Sequence, residues 1–360
     1  MKLISNNHEI PMIGEVWILL DSGIFGGIES HVIELSRGLM VSNVHVRVVL
    51  VSEHSPPTPL FGKLKHENIP VSYLWHLCPK SERSNAISVK QITSAVAEYQ
   101  PNVIHTHGYK AGVLARSARL FTRTFPRLIS TYHAGETPKG KVWFYDWIDR
   151  HSGHLSDHCF SVSQTIQRKV LTQSELLNNF VSVPKPKQDC PYKEIAFVGR
   201  LSYEKGADQF MEIARHIPDS SFSIYGDGPE KSSLSTNAPP NVFFHGYQND
   251  MNVVWSNISV LIISSRYEGL PMVALEAMAR GIVVISLNVG RLPDLIENGK
   301  NGFIANDLPA LINRVDLWLT MSHSEQYSLR LQAIETIKNH YSTSCIIPIL
   351  IERYQIEITA

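Results

Sequence analysis

No uninterrupted apolar run in this chain of 360 residues approaches the roughly 18–20 residues that a membrane-spanning helix needs. A helical span is therefore excluded, and any membrane contact is expected to be peripheral. The opening stretch MKLISNNHEIPMIGEVW lacks a continuous apolar segment, so no signal peptide is expected. Charge of one sign is not in excess: 33 Lys and Arg balance 33 Asp and Glu, which gives no reason to expect a nucleic-acid partner. The four cysteines (Cys78, Cys159, Cys190 and Cys345) form no CxxC pair and no metal-ligand spacing. Free thiols in a reducing cytoplasm are the expectation. An Asp-x-Asp motif, low-complexity segments and short-period repeats are also lacking.

What is present is an ordinary globular composition, 43% apolar and 18% charged, in a chain long enough for two domains of about 150–200 residues. Short β-rich runs alternate with helical-period runs to the end, which predicts parallel sheets flanked by helices. In the first half the strands are expected at 15–20, 44–51, 71–75, 103–107, 128–133 and 159–162. Helices are expected at 27–40, 87–99, 110–121, 141–150 and 164–173. The proline-rich stretch Val183 to Pro191 reads as a linker, after which a new first strand opens at 194–198. Strands then recur at 222–225, 242–245, 260–263, 283–286 and 303–304, with helices near 207–216, 271–279 and 308–321. The expected division is residues 1–185 as an acceptor-side domain and 186–341 as a donor domain, with a last helix over 342–360 crossing back. The halves differ in charge. Residues 1–185 carry 19 Lys and Arg against 14 Asp and Glu, and residues 186–360 carry 14 against 19, so the first half is the one suited to something anionic.

Ligands of open α/β sheets gather beyond the carboxyl ends of the strands, and the chemistry-bearing motifs lie there. After the strand-like run 259–263 come Glu268, Gly269, Leu270 and Pro271, then a helix carrying Glu276. Pro271 is expected as the first helical residue, where its missing N–H is harmless, and the amides of Gly269 to Met272 suit an anion. Glu268 and Glu276 can face one crevice and offer acceptor oxygens to sugar hydroxyls. After 194–198, Gly199 is followed by Arg200 and Lys205, two cations able to neutralise a leaving diphosphate. The first βα turn holds Gly26 and Gly27, either a plain tight turn or a close backbone approach to phosphate. His105, His107 and His133 close two strands, and for His107 a structural role stands beside a functional one.

In these motifs the chain resembles the retaining GT-B glycosyltransferases of family 4, over nearly its whole length. The resemblance implies two doubly wound Rossmann-like domains facing across a central cleft and transfer of a hexose-type sugar from a UDP- or GDP-sugar to a glycan or lipid-linked acceptor. It implies retention of configuration and a place in cell-surface polysaccharide or lipopolysaccharide synthesis. By the same resemblance Glu268 meets the donor sugar, Glu276 the ribose, and Arg200 and Lys205 the pyrophosphate. The loop of Gly26 and Gly27 approaches donor phosphate and acceptor, the loop of Gly246 faces the base, and His133 sits beside the donor sugar. No cofactor and no metal are expected. The family's usual Asn-Gly-Ile/Val-Asp segment between the domains is replaced by Val181-Ser-Val-Pro-Lys-Pro.

Two further groups remain open. Lys110, Arg116, Arg119, Arg123 and Arg127 crowd together, with 116, 119 and 123 at helical spacing. They read either as a solvated face or as an acceptor- and membrane-side surface on the inner face of the cytoplasmic membrane. His151, His154 and His158 have a spacing that a metal could use, weakened by Gly153. The alternative function is a non-transferase enzyme of the same fold, such as a nucleotide-sugar 2-epimerase. A nicotinamide oxidoreductase is disfavoured because the first loop lacks a clean GxGxxG.

Overall fold

The computed structural model describes residues 14–133, 141–184, 194–248 and 250–356. It divides into two compact units, one holding the chain up to Asn178 together with the chain from Ile346 on, the other Asn179 to Cys345. Most of the stretch read as a linker, with Cys190, lies outside the described residues, as does the end of the last helix beyond 356.

The first unit is a seven-stranded sheet in the order β3-β2-β1-β4-β5-β6-β7. Its strands are β1 (Val16–Leu20), β2 (Val46–Leu50), β3 (Val71–Tyr73), β4 (Val103–His107), β5 (Arg127–Tyr132), β6 (His158–Ser161) and β7 (Glu175–Leu176). All neighbours are parallel. Strands β1, β2 and β4 are buried at every position, as expected where helices cover both faces of a parallel sheet. The chain reverses direction across the sheet between β1 and β4, where Leu20 pairs with His107.

The second unit repeats the plan with six parallel strands in the order β10-β9-β8-β11-β12-β13. These are β8 (Glu194–Val198), β9 (Phe222–Tyr225), β10 (Val242–Gly246), β11 (Ile258–Ile263), β12 (Val283–Leu287) and β13 (Gly302–Ala305). Two apolar layers sandwich this sheet. One packs Leu275 and Met278 with Ile337, the other Phe210 and Ile213 with Trp318.

Two differences from the expected elements have clear causes. Pro271 caps the helix Met272–Met278 instead of opening it, because its ψ of 131° is extended. Proline fixes φ and leaves ψ free. The last helix begins at Thr343, after a backbone bridge in which Val181 donates to the Tyr341 carbonyl at 2.9 Å and accepts from the Thr343 amide at 3.0 Å. An 18-residue helix, His323–His340, precedes it and was not among the expected elements. No described helix is long and apolar enough to cross a membrane.

Candidate functional site

In the second unit three loops meet at the carboxyl ends of the strands. After β8 a 3-10 turn, Tyr203–Lys205, ends in Gly206 at φ +65°. A Cβ there would lie 2.1 Å from the Ser264 carbonyl oxygen, so only glycine lets this loop close on the one that follows β11. The two are stitched by Ser264 Oγ donating to the Gly206 carbonyl at 2.8 Å and the Arg266 amide donating to Glu204 at 2.8 Å. Gly290, at φ +60°, lies against the Glu268 and Gly269 carbonyls, which a Cβ would strike at 2.4 Å. That brings the loop after β12 underneath.

This framing holds the Glu268 side chain at 7% exposure. Its carboxylate accepts from Lys205 Nζ at 2.7 and 2.8 Å and from Ser265 Oγ at 2.7 Å. Lys205 and Glu268, 63 residues apart in sequence, are thus brought together. Arg200 stands exposed on the loop after β8; its carbonyl accepts from the Ser202 amide at 3.0 Å, while its guanidinium has no hydrogen bond or ion pair among the described residues. Glu276 is half-buried on its helix, and its carbonyl accepts from Arg280. The helix has seven residues, so Gly269 to Met272 contribute a few unpaired amides more than a developed dipole. Leu270 is buried in the core and Pro271 caps. The Gly226–Gly228 turn is a packing device. Its first glycine would put a Cβ 1.8 Å from the Gly199 carbonyl oxygen, and its amide donates to Gly246 at 2.9 Å.

In the first unit the corresponding strand ends carry imidazoles. His107 Nδ1 and His133 Nε2 are 2.8 Å apart, and the His31 ring stands edge-on to His133 at 5.0 Å. His107 Nε2 is buried without a hydrogen-bond partner among the described residues. Burial first, and neighbouring imidazoles second, hold His107 and His133 well below the ordinary histidine range. Both rings are therefore neutral at pH 7 and can hydrogen-bond a hydroxyl without carrying charge. His105 plays a different part: its two nitrogens are each 2.7 Å from a hydroxyl, that of Tyr354 on the last helix and that of Thr131. It is structural.

Gly26 caps the helix Gly27–Val41, and its amide donates to Glu29 at 2.9 Å. A Cβ on Gly27 would meet nothing within 4 Å, so room remains beside this loop. A cavity of about 210 Å³ opens nearby, lined among others by Asp21, His107, Tyr109, Lys110, His133 and Asp146. Lys110 Nζ donates to Asp21 at 2.5 Å, with His54 Nε2 at 3.0 Å on the other carboxylate oxygen. Burial raises the Asp21 carboxyl, but the hydrogen bonds from Lys110, Ser52 and His54 outweigh it and hold the group below its usual range. His31 and Asp21 were missed as site residues in the sequence. The signal for His31 was its place one turn into the helix after the two glycines.

The basic stretch does not form one face. Arg116 is 1% exposed. It is paired with the Asp149 carboxylate and donates to Ser130 and Ser152 at 3.0 Å. Arg119 forms a fork with Asp157 at 2.7 and 2.8 Å, and Arg123 lies beyond the helix, which ends at Leu120. The expectation of a basic surface through 116, 119 and 123 is corrected: carboxylates 33 and 38 residues onward neutralise two of the three. His151, His154 and His158 do not converge either. The first two bond the Trp147 and His151 carbonyls and the third bonds Glu175. Among the described residues, the group whose ligand atoms come close enough to hold a metal ion is His31, His107 and His133, all within 4.8 Å of one another.

Comparison with known proteins decides the family. Residues 25–176 match the description Glycosyltransferase Family 4, and residues 192–321 match Glycosyl transferases group 1. The chain belongs to the glycosyltransferases of these families. Its fold is GT-B, shared with HepE of Anabaena in a complex with UDP, at a TM-score of 0.77 and 17% identity over 94% of this chain and 98% of that one. An uncharacterized glycosyltransferase of Haemophilus influenzae is 29% identical over 49% of this chain and 58% of its own length. The UDP-Gal:alpha-D-GlcNAc-diphosphoundecaprenol alpha-1,3-galactosyltransferase of Escherichia coli is 26% identical over 64% of this chain and 70% of its own. The chain thus spans little more than half of the first of these relatives. Further relatives are named as a lipopolysaccharide 1,6-galactosyltransferase of Salmonella typhimurium and a Vi polysaccharide biosynthesis protein of Salmonella typhi.

Proposed function

We propose that this glycosyltransferase moves a hexose from a UDP-sugar, with a GDP-sugar as the second candidate, onto a glycan or lipid-linked acceptor with retention of configuration. The observation that carries the reading is the Lys205–Glu268 pair, buried on the carboxylate side and framed by three loops. Diphosphate oxygens compete with Glu268 for Lys205, and the exposed Arg200 supplies a second cation. As the anomeric C–O bond breaks, its electron pair leaves with the diphosphate, and two cations with the Gly269–Met272 amides stabilise that charge. Glu268 then holds the donor sugar and Glu276 the ribose, while backbone around Gly246 faces the base. Neutral His133, supported by His107, hydrogen-bonds the sugar, with Gly26 and Gly27 beside the phosphate. Two cations already present make a metal unnecessary for the leaving group, so transfer is proposed to be metal-independent.

A UDP donor is favoured because HepE binds UDP and UDP-glucose and the Escherichia coli relative is named for UDP-Gal. That relative's diphosphoundecaprenol acceptor supports a lipid-linked acceptor here, met at the cytoplasmic face of a membrane. The test is nucleotide release from UDP-glucose, UDP-galactose and GDP-mannose, with and without a lipid-diphosphate sugar acceptor. Acceptor-dependent UDP release supports the reading. Epimerised donor without acceptor would overturn it in favour of the epimerase.

A further inference from the structure

The Lys205–Glu268 pair is carried on two short loops that hold themselves only lightly. Lys205 closes a 3-10 turn of three residues, and the amides of Lys205 and Gly206 share one acceptor, the Ser202 carbonyl, at 3.0 and 3.3 Å. Glu268 lies in the irregular chain between β11 and the helix Met272–Met278. Arg266 crosses from the second loop to the first. Two of its guanidinium nitrogens donate to the two oxygens of Asp208 at 2.8 and 2.6 Å. One of them also donates to the Tyr203 carbonyl at 2.8 Å, and the guanidinium lies over the Tyr203 ring, 4.2 Å from its centre. Tyr203 precedes Lys205 by two residues, and Asp208, in the first turn of the helix Ala207–His216, follows it by three. A single planar group therefore brackets the lysine on both sides. Arg266 itself stands two residues before Glu268, so it ties the chain next to each member of the pair.

We propose that Arg266 is a positioning residue for the nucleotide diphosphate, fixing Lys205 against Glu268 without touching the ligand itself. A lysine carries its charge on a flexible four-carbon stem, so the reach of Nζ is set by how firmly the backbone beneath it is held. Small displacements of a charge partner are costly where geometry decides binding. Arginine suits this task because its planar fork serves a carboxylate, a carbonyl and a ring face together, which an ammonium cannot do. Asp208 balances its charge, which sets Arg266 apart from Arg200, whose guanidinium is left for the ligand. With side chains 24% and 48% exposed, the Arg266–Asp208 pair contributes little to folding. Its effect falls on the placement of the lysine. The inference rests on the reading that Lys205 meets the diphosphate, and the test separates the two.

UDP affinity is measured by calorimetry on the full chain, with GDP in its place if UDP does not bind. The unmodified chain is compared with Lys205→Met, Arg266→Gln, Arg266→Lys and the double variant Lys205→Met, Arg266→Gln. Arg266→Gln should bind the nucleotide about tenfold more weakly, while its urea unfolding stays close to that of the unmodified chain. Arg266→Lys should recover little of the loss, since the charge returns and the fork does not. In the Lys205→Met background Arg266→Gln should add almost nothing, because the residue acts through that lysine. The proposal is overturned if Arg266→Gln binds as the unmodified chain does, whether or not its urea stability falls. It is also overturned if Arg266→Lys restores full affinity, which would make the residue a simple charge. Losses that add in the double variant would overturn it as well, because Arg266 would then act independently of Lys205. If Lys205→Met alone leaves affinity untouched, or the unmodified chain binds neither nucleotide, the reading of the diphosphate site falls and the proposal falls with it.

Discussion

The two sheets place their first strand inside and turn back beside it, in the same order, yet the loops beyond their strands carry different chemistry. Beyond β8 and β11 the groups are ions: Lys205 on Glu268, with Arg200 exposed. Beyond β4 and β5 they are neutral imidazoles pressed against one another, with the Lys110–Asp21 ion pair beside them. The first unit places its charge deeper, in pairs such as Arg116 with Asp149 and Arg47 with Glu15, each side chain less than a tenth exposed. One topology therefore frames different side chains, a Lys205–Glu268 pair beside the exposed Arg200 in the second unit and a cluster of imidazoles in the first.

The strongest way to break this contrast is through the buried pair. Arg116→Leu leaves Asp149 without its partner, and about 3–5 kcal/mol of stability should be lost, read by urea unfolding. Lys205→Met, at a third-exposed lysine, should lose under about 1 kcal/mol. Equal losses would erase the distinction.

In turnover the ranking reverses. Lys205→Met should lower kcat about 10²–10³-fold, as the removal of a preorganised charge partner does. Arg116→Leu, assayed where it is folded, should change kcat little. A Lys205→Met enzyme with wild-type kcat would remove the diphosphate role.

Acid sharpens the comparison further. His105 is pushed down to about 3 by burial first and by His31 and His158 second, and His107 is also held well below its ordinary value. With folded values depressed below the unfolded 6.5, the neutral rings stabilise the first unit fully above pH 6.5. That contribution is lost progressively as the pH falls towards 3, by at most about 1.4 kcal/mol per pH unit for each ring. In the second unit the Arg266 hydrogen bond holds Asp208 low, so its contribution is lost only as the pH falls below the ordinary aspartate range. Hydrogen exchange between pH 6.5 and 4.5 should therefore show the first unit loosening first; simultaneous loosening would contradict the assignment. The smallest expected effect is that of EDTA or 1,10-phenanthroline, which should leave turnover unchanged. Inhibition reversed by added zinc would point to His31, His107 and His133 as a metal site.

Much of this was legible in the residues. Alternating apolar runs locate the strands because parallel strands are buried on both faces and are rich in Val, Ile and Leu, as in β11 (Ile258–Ile263), where only Ser259 interrupts them. Lys205 and Glu268 stand out because each follows such a run. Partners distant in sequence were not legible. A count of cations cannot see that Asp149 lies 33 residues beyond Arg116 and cancels it. The helix His323–His340 was overlooked although Ser322 and Glu325 form its capping box; its weak apolar stripe hides it, with Leu329, Ala333 and Ile337 its buried residues. The run Trp143 to Trp147 has the composition of a core segment, and only the fold reveals that it faces outward.

The central claim is that the second unit holds the donor. A crystal structure of the complex with UDP tests it most directly. The account predicts the diphosphate within hydrogen-bonding reach of Arg200 and Lys205 and the ribose hydroxyls on Glu276. A nucleotide seated instead in the cavity beside His107 and His133, with Lys205 still closed on Glu268, would contradict it.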